Sequence, residues 1–188
     1  MKEQILKWKK NFKIPEKMVT IRKATKADTT LLSLLSRVTY TESHGHFIDD
    51  KNDLLKYCEH AFSIKTTLED LEDINNLFHI AYVDDFPVGY SKIVLNKPFE
   101  DKTEESSCRL ERIYILNDFI PKKLGYNFLK FLEKTAISLN ATSMWLSVYV
   151  KNEKAIQFYK RNDFIDFGII DFVVNGKKYD NNVLSKKL

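Results

Sequence analysis

Two residues in the second half of the chain have side chains suited to proton transfer. Tyr159 carries a phenolic hydroxyl that can give a proton to a departing group, and Glu111 carries a carboxylate that can take one, directly or through water. Each also has a purely structural interpretation. Tyr159 could pack on a sheet beside Phe158, and Glu111 could form a surface salt bridge with Arg112 or another neighbour. The sequence therefore supplies one candidate acid and one candidate base.

Metal ligands and nucleophiles do not form recognisable patterns. His44 and His46 lie two residues apart, but no third ligand follows at a suitable spacing, and we expect both to be solvated loop residues. Cys58 and Cys108 show no C-x-x-C spacing and are predicted to be buried thiols. No Cys or Ser–His arrangement suggests a covalent intermediate. No metal is expected.

The elements that would position the candidate acid and base follow from the spacing of apolar residues, from capping patterns and from turn residues. In chain order we predict a strand at 19–24, helices starting after Thr25, near Asp53 and at Thr67, strands at 78–83, 88–95 and 108–116, a helix from Leu124, a strand at 144–148, a helix at 152–161, and strands at 164–173 and 179–184. In the first helix, Leu31, Leu34, Leu35 and Val38 have the spacing of a core-facing stripe.

The stretch 148–164 carries the most specific pattern. Its fixed positions are Val148, Asn152, Ala155, Phe158, Tyr159 and Phe164. This pattern closely resembles the segment that closes the acetyl-coenzyme A site in the GNAT superfamily of N-acetyltransferases. That superfamily has a glycine where this chain has Asp163, and an aspartate can end a helix in the left-handed region at low cost. We therefore expect the helix to end at Asp163 in the left-handed conformation, as it does at the glycine of the superfamily.

The loop at 118–125 occupies the position of the superfamily's pyrophosphate loop, although only Gly125 matches. Lys123 stands in place of the first glycine, and Pro121 lacks an N–H donor. Two lysines could offset a less well-shaped anion site at this helix N-terminus. Weaker coenzyme binding is the alternative. From the resemblance, the residues expected at the coenzyme are Ile113, Tyr114, Ile115, Lys122, Lys123, Leu124, Gly125, Tyr126, Asn152, Ala155 and Phe158.

Residues 110–115, followed by this loop, look like the PaiA-type branch of GNAT proteins, which acetylate polyamines. The resemblance implies that Tyr159 protonates the departing thiolate and that the backbone of Ile113 and Ile115 pairs with the pantetheine arm. Glu111 shares strand parity with both isoleucines, so we expect it to face the same cleft as the base. Tyr40 and Glu42 are candidates for binding the amine, against the alternative that they are ordinary surface residues.

The resemblance implies a GNAT fold of the α/β class, with a central, mostly antiparallel twisted sheet, a splayed parallel pair and flanking helices. The chain has 188 residues, and a net charge of +4 is spread along it, so we expect one domain at 18–188 and no nucleic-acid partner. Residues 1–17 read as an appended amphipathic helix. We expect a cytoplasmic enzyme without a membrane span that uses acetyl-coenzyme A and a small-molecule amine, or alternatively a protein N-terminus or lysine. A coenzyme-binding module without turnover, and a homodimer, are further options.

Overall fold

A computed structural model describes residues 18–100 and 106–188, so the helix expected at 1–17 lies outside the described residues. The strands are β1 (Val19–Lys23), β2 (Asn76–Val83), β3 (Phe86–Val94), β4 (Cys108–Ile115), β5 (Ser143–Tyr149), β6 (Ile165–Val174) and β7 (Lys177–Lys187). The α-helices are α1 (Thr29–His44), α2 (Lys51–Ala61), α3 (Ile64–Glu72), α4 (Leu124–Ser138) and α5 (Glu153–Lys160). No helix in this part of the chain is long and apolar enough to cross a membrane.

The strands form one sheet in the order β1-β2-β3-β4-β5-β7-β6. All neighbours are antiparallel except β4 and β5, which run parallel. Within the described residues this parallel pair is registered only at Cys108 with Met144 and at Arg109 with Trp145, after which the two strands separate. The predicted mixed, mostly antiparallel sheet with a splayed parallel pair is confirmed.

Helices cover both faces of the sheet. On one face, Leu124 and Phe128 of α4 and Ile156 of α5 pack in the largest core cluster with sheet residues such as Leu110 and Leu146. On the other face, α1 buries Leu32 and Leu35 against Phe78, Ile80 and Tyr90. A smaller cluster on that face joins α1 to α2 through Tyr40, Leu54, Cys58 and Phe62. The two layers place the separating strands β4 and β5 between α4 and α5 on one side and α1 and α2 on the other.

The buried stripe of α1 differs from the predicted one. Leu34 and Val38 are 59% and 49% exposed, so their expected core position is wrong. Small polar residues take the buried positions instead, because their hydroxyls find backbone partners. Ser33 donates to the carbonyl of Phe62 at 2.6 Å, and Thr39 donates to the carbonyl of Leu35 at 2.7 Å. Of the predicted stripe, Leu31 and Leu35 pack in the core, so apolar spacing alone placed two of its four residues correctly.

Helix α3 also begins earlier than predicted. Its N-cap is Ser63, whose hydroxyl accepts the N–H of Thr66 at 3.0 Å. Thr67, the expected cap, is a buried residue inside the helix. Ile74, expected on its apolar face, lies beyond the helix end and is 89% exposed. Ser63 and Thr67 both belong to residue types that cap helices, and the helix begins at the earlier of the two.

The end of α5 has the predicted left-handed stop. Asp163 has φ of 68°, and the next residue, Phe164, is 2% exposed. The N–H of Phe164 reaches back to the carbonyl of Tyr159 at 3.2 Å, which is the six-to-one bond of a helix C-terminus. This stop turns the chain from α5 into β6 and holds Tyr159 in place.

The backbone at position 163 gives a stability test. Glycine tolerates φ above zero without a steric penalty, so Asp163→Gly should be more stable than Asp163→Ala by about 1 kcal/mol. Both variants lose the 3.6 Å contact to Lys186, which therefore cancels. At Gln157, an exposed position inside α5, the order should reverse, with alanine better by about 1 kcal/mol. Urea unfolding of the four variants measures this, and the same order at both positions would contradict the assigned backbone.

Candidate active site

A cavity of about 340 Å³ opens where β4 and β5 separate. Residues from both faces of the sheet line it. Leu110, Ile113 and Val148 belong to the cluster that packs on α4 and α5, whereas Tyr40 and Phe62 belong to the cluster of α1 and α2. The gap between the strands therefore connects one side of the sheet with the other.

The edge of β4 that faces this gap carries free backbone donors. The N–H of Leu116 donates to Val88 of β3 at 2.9 Å. Because successive N–H groups of a strand point to opposite edges, those of Ile113 and Ile115 point away from β3 and toward β5. β5 has already separated at this point. The side chains of Ile113 and Tyr114 line the cavity, and Ile115 packs in the core beside it.

The loop after β4 ends in a left-handed residue. A 3-10 segment spans Asn117–Lys122, with Lys122 as its last residue, and Lys123 follows with φ of 56° as the N-cap of α4. A left-handed residue after helical ones turns successive N–H groups inward and forms an anion-binding concavity. The structure therefore places at Lys123 the backbone conformation that glycine would take most cheaply.

The first residues of α4 differ in exposure. Leu124 is 1% exposed and belongs to the core, so its side chain faces away from solvent. Tyr126 is 49% exposed, with Lys130 Nζ at 5.7 Å from its ring centre. At Gly125 an added Cβ would meet the side chains of Ile115 and Phe158 at 3.7 and 3.9 Å, an ordinary contact. Packing alone does not require a glycine at this position.

Helix α5 brings three of the predicted residues to the gap. Asn152 accepts the N–H of Ala155 at 3.2 Å and caps the helix, and both residues line the cavity. Tyr159 also lines the cavity, one turn further along. Phe158 packs on the core and contacts the ring of Tyr159, with the ring centres 5.3 Å apart. Burial raises the pKa of Tyr159, so its hydroxyl keeps its proton near neutral pH.

Glu111 lies on the opposite face of β4 from the one predicted. The register pairs Lys92 with Arg112 and Ile93 with Leu110, which leaves Glu111 as the extra residue of a β-bulge. Leu110 therefore shares the α4 face with Ile113 and Ile115. The strand-parity prediction for Glu111 is wrong because the bulge reverses the alternation at this residue. Glu111 still lines the cavity, from the side of α1 and α3.

Three cations surround the carboxylate of Glu111. Its oxygens lie 3.0 Å from Lys92 Nζ, 3.6 Å from Arg112 Nη2 and 3.8 Å from Arg109 Nη1. Burial alone would raise the pKa of Glu111, but the charges of Lys92 and Arg112 outweigh it and lower the pKa overall. Glu111 is therefore ionised near neutral pH. The salt-bridge interpretation and the cavity position apply to this residue together.

An aromatic cluster forms the wall on the α1 and α2 side. Tyr40 is 4% exposed, and its ring centre lies 4.8 Å from that of Tyr57 and 5.3 Å from that of Phe62. Tyr40 lines the cavity, and its role in binding the amine stays a prediction. Glu42 is not among the described residues that line the cavity, and its carboxylate accepts the N–H of Asn117 at 2.9 Å. Glu42 thus caps the 3-10 segment before α4.

His44 is not the solvated loop residue that we predicted. It is the last residue of α1, it lines the cavity, and its ring stacks on Tyr40 at 4.4 Å. Desolvation, with a smaller contribution from the charge of His46, lowers the pKa of His44 to about 4. His46 is exposed, as expected. Among the described residues, no group of three His, Cys, Asp or Glu side chains could hold a metal ion.

Sequence reasoning missed the two arginines at the cavity. The guanidinium of Arg109 lies 4.9 Å from the ring centre of Trp145, and that of Arg112 lies 5.1 Å from that of Phe62. Both arginines line the cavity. Their places depend on the bulge at Glu111 and on the pairing of β4 with β5, neither of which a single strand pattern reveals. The predicted thiols Cys58 and Cys108 are both buried and free.

The half-buried imidazole of His44, whose Nδ1 atom is inaccessible to solvent, predicts a pH dependence of stability. Its folded pKa of about 4 lies below the ordinary 6.5, so the unfolded state binds more protons and stability falls as the pH drops from 6.5 toward 4. Between pH 7.5 and pH 5.0 the loss from His44 is about 2 kcal/mol. His44→Gln should remove this part, while His60→Gln at an exposed site should leave it unchanged. Urea unfolding at both pH values measures it, and equal pH dependence in wild type and His44→Gln would contradict the buried neutral state.

Known proteins show the same fold over nearly the whole chain. The PaiA N-acetyltransferase of Thermoplasma acidophilum, solved in complex with coenzyme A, is 19% identical, with a TM-score of 0.69 over 91% of this chain and 99% of that one. A ribosomal-protein-alanine N-acetyltransferase from Brucella melitensis is 20% identical, with a TM-score of 0.65 over 90% of this chain and 99% of that one. At these identities the likeness shows the fold.

The sequence comparisons identify the family. An uncharacterized N-acetyltransferase from the pepI 3′ region of Lactobacillus delbrueckii subsp. lactis is 23% identical over 170 residues, which cover 90% of this chain and 98% of that protein. A family model described as the acetyltransferase (GNAT) family matches residues 41–164. That match includes the cavity-lining residues of β4, β5 and α5, together with Ser43 and His44 of α1. The chain therefore belongs to the GNAT family of acetyl-coenzyme A-dependent N-acetyltransferases.

Proposed function

We propose that this protein transfers the acetyl group of acetyl-coenzyme A to the primary amine of a small molecule, directly and within a ternary complex. The observation that carries the proposal is the cavity at the gap between β4 and β5, which has Tyr159 on one side of the sheet and the Tyr40 cluster on the other. A thioester held in the gap could be reached by an amine from the opposite face. No covalent acetyl-enzyme is needed for that arrangement.

The coenzyme would lie along the unpaired edge of β4. The N–H groups of Ile113 and Ile115 point into the gap and could pair with the amides of the pantetheine arm, as a neighbouring strand would. The backbone N–H groups of Lys123, Leu124 and Gly125, at the N-terminus of α4, could donate hydrogen bonds to the pyrophosphate. When bound, acetyl-coenzyme A supplies a thioester that an amine can attack.

Tyr159 would act as the acid. Its hydroxyl is protonated near neutral pH because burial raises its pKa, and it lies on the α4 and α5 side of the gap. A proton held there stabilises the thiolate as it leaves. Asn152 caps α5 and Ala155 lies beside it at the cavity, so this helix start would orient the thioester end of the coenzyme.

Glu111 would act as the base through water. Its three cationic neighbours keep it ionised, which makes it available to accept a proton but weakens it as a base. An intervening water could relay the proton of the attacking amine to the carboxylate. Tyr40 would line the acceptor site, whereas Glu42 would act only through the chain segment that it caps.

Likenesses to two solved structures favour different amines, and the loop before α4 favours a third possibility, coenzyme binding without turnover. The likeness to the PaiA N-acetyltransferase, together with the ring faces of Tyr40 and Tyr57, favours a polyamine. The likeness to a ribosomal-protein-alanine N-acetyltransferase favours a protein N-terminus. A coenzyme-binding module without turnover follows from Lys123 and Pro121 in the loop before α4. We also propose a cytoplasmic location, which agrees with two free, buried thiols. A measurement of the protein's mass in solution would test for a homodimer.

Two measurements test the proposal. Isothermal titration with acetyl-coenzyme A tests coenzyme binding, and the absence of binding at millimolar ligand would overturn it. Thiol release with a panel of polyamines, amino acids and peptides then tests turnover. Binding without thiol release from any amine would favour the module without turnover.

Tyr159→Phe tests the acid. The variant should lower kcat by about 10- to 100-fold while acetyl-coenzyme A binds as before, because thiolate is a tolerable leaving group and the acid gives a moderate gain. The matched control is Tyr82→Phe, whose hydroxyl accepts from Arg22 at 2.6 Å on β2, two strands from β4, and which is not among the described residues that line the cavity. Thiol release and titration on both variants measure this. An unchanged kcat in Tyr159→Phe would rule out the acid role.

A further inference from the structure

The charged residues at the cavity are mainly cationic. Among the described residues that line it, the charged ones are Arg109, Glu111 and Arg112. Behind them lie one further cation, Lys92, and one further carboxylate, Asp70, which contact this group. The lining therefore carries two positive charges against one negative charge, and the second layer does not change that balance.

Lys92 takes the short contacts to both carboxylates. Its Nζ lies 2.9 Å from Asp70 Oδ1 and 3.0 Å from Glu111 Oε1. The guanidinium contacts are longer: Arg112 lies 3.5 Å from Asp70 and 3.6 Å from Glu111, and Arg109 lies 3.8 Å from Glu111. Charge-assisted N–H to carboxylate bonds are usually 2.7 to 2.9 Å long. Both guanidinium groups therefore retain donor capacity that their neighbours do not satisfy.

Both guanidinium groups are also held in place. The buried Nε of Arg109 has no hydrogen-bond partner among the described residues. Its guanidinium stacks on Trp145, at the point where β4 and β5 begin to separate, and that of Arg112 stacks on Phe62. Two planar, pre-oriented guanidinium groups with unused N–H donors therefore line the same cavity. This arrangement suits a carboxylate, because a guanidinium binds a carboxylate through two parallel N–H···O bonds.

We propose that the acceptor is a primary amine that also carries a carboxylate, an amino-acid-like molecule, and that Arg109 and Arg112 bind its carboxylate. The inference rests on the proposed acetyl transfer. In that reaction the amine nitrogen forms a bond to the acetyl carbonyl carbon and the carbon–sulfur bond breaks. The nitrogen loses one proton, the sulfur leaves as thiolate and receives one, and the products are an N-acetyl amino acid and coenzyme A.

The same charges disfavour a polyamine. Such a molecule carries several ammonium groups, and the cavity offers Glu111, whose carboxylate already contacts Lys92. Two neighbouring guanidinium groups repel a second ammonium.

The two guanidinium groups also affect the attacking amine of any acceptor. A nearby positive charge disfavours the protonated amine and lowers its pKa, and only the free amine attacks. The aromatic wall around Tyr40 and Phe62 leaves room for an apolar side chain on the acceptor.

Matched ligand pairs test this inference without any mutation. L-phenylalanine, L-methionine and L-glutamine are each titrated into the protein with saturating coenzyme A, alongside the corresponding amino-acid amide and spermidine. At least one acid should bind 10-fold or more tightly than its amide and than spermidine. Equal binding within every pair, tighter binding of the amides or of spermidine, or no binding of any acid would overturn the inference.

The arginines are then tested by substitution. Arg109→Gln should reduce the ratio of acid to amide affinity from 10-fold or more to about 2-fold or less, and Arg112→Gln should act in the same direction. Arg161→Gln, at the exposed end of α5, should keep the ratio. Because each ratio is measured on one protein sample, partial unfolding of a variant affects both ligands equally. A ratio unchanged in Arg109→Gln and Arg112→Gln would exclude these arginines as the carboxylate site.

Failure of the inference can be told apart from failure of the proposed function. Thiol release from acetyl-coenzyme A with the same acids, amides and spermidine reports on transfer itself. Turnover that favours spermidine or the amides would leave the acetyltransferase in place and overturn the carboxylate site. No coenzyme binding and no turnover with any amine would overturn the proposed function. In that case the acids and amides are titrated without coenzyme A, and their affinity ratio decides the inference by the same criterion.

Discussion

The early separation of β4 and β5 is the constraint on which the rest of the site depends. β5 pairs with β7 along its whole length, from Ser143 opposite Lys187 to Tyr149 opposite Asn181. With β4 it pairs at two positions. The pairing with β7 continues along the other edge of β5 after β5 has separated from β4. The edge of β4 that faces β5 is left with backbone N–H donors that need a partner other than a strand. A ligand with its own amide groups fits that edge.

The bulge at Glu111 gives the two sides of the gap different chemistry. On the α4 and α5 side, Leu110, Ile113 and Tyr159 make a largely apolar wall in which a phenol keeps its proton. On the other side, the extra residue adds a carboxylate next to Arg109 and Arg112. One inserted residue therefore separates an apolar face from a charged face along a single strand.

Local rules were sufficient where one residue decides the backbone. The stop at Asp163 follows from side-chain chemistry within a few residues, and it was predicted correctly. Local rules failed where residues distant in the sequence decide which way a side chain faces. The face of Glu111 depends on its register with β3, and the position of His44 at the cavity depends on Tyr114, seventy residues further along the chain. The buried face of α1 depends on hydroxyl groups that meet distant carbonyls, which apolar spacing does not encode.

Amide hydrogen exchange along β4, resolved by NMR with and without acetyl-coenzyme A, tests most directly whether the coenzyme lies along the open strand edge. The N–H groups of Ile113 and Ile115 face the gap, while that of Leu116 already donates to Val88 and serves as the internal reference. The account predicts that bound acetyl-coenzyme A slows exchange at Ile113 and Ile115 by at least about tenfold and changes Leu116 little. Saturating coenzyme that leaves Ile113 and Ile115 unchanged, or that slows all three equally, would contradict it.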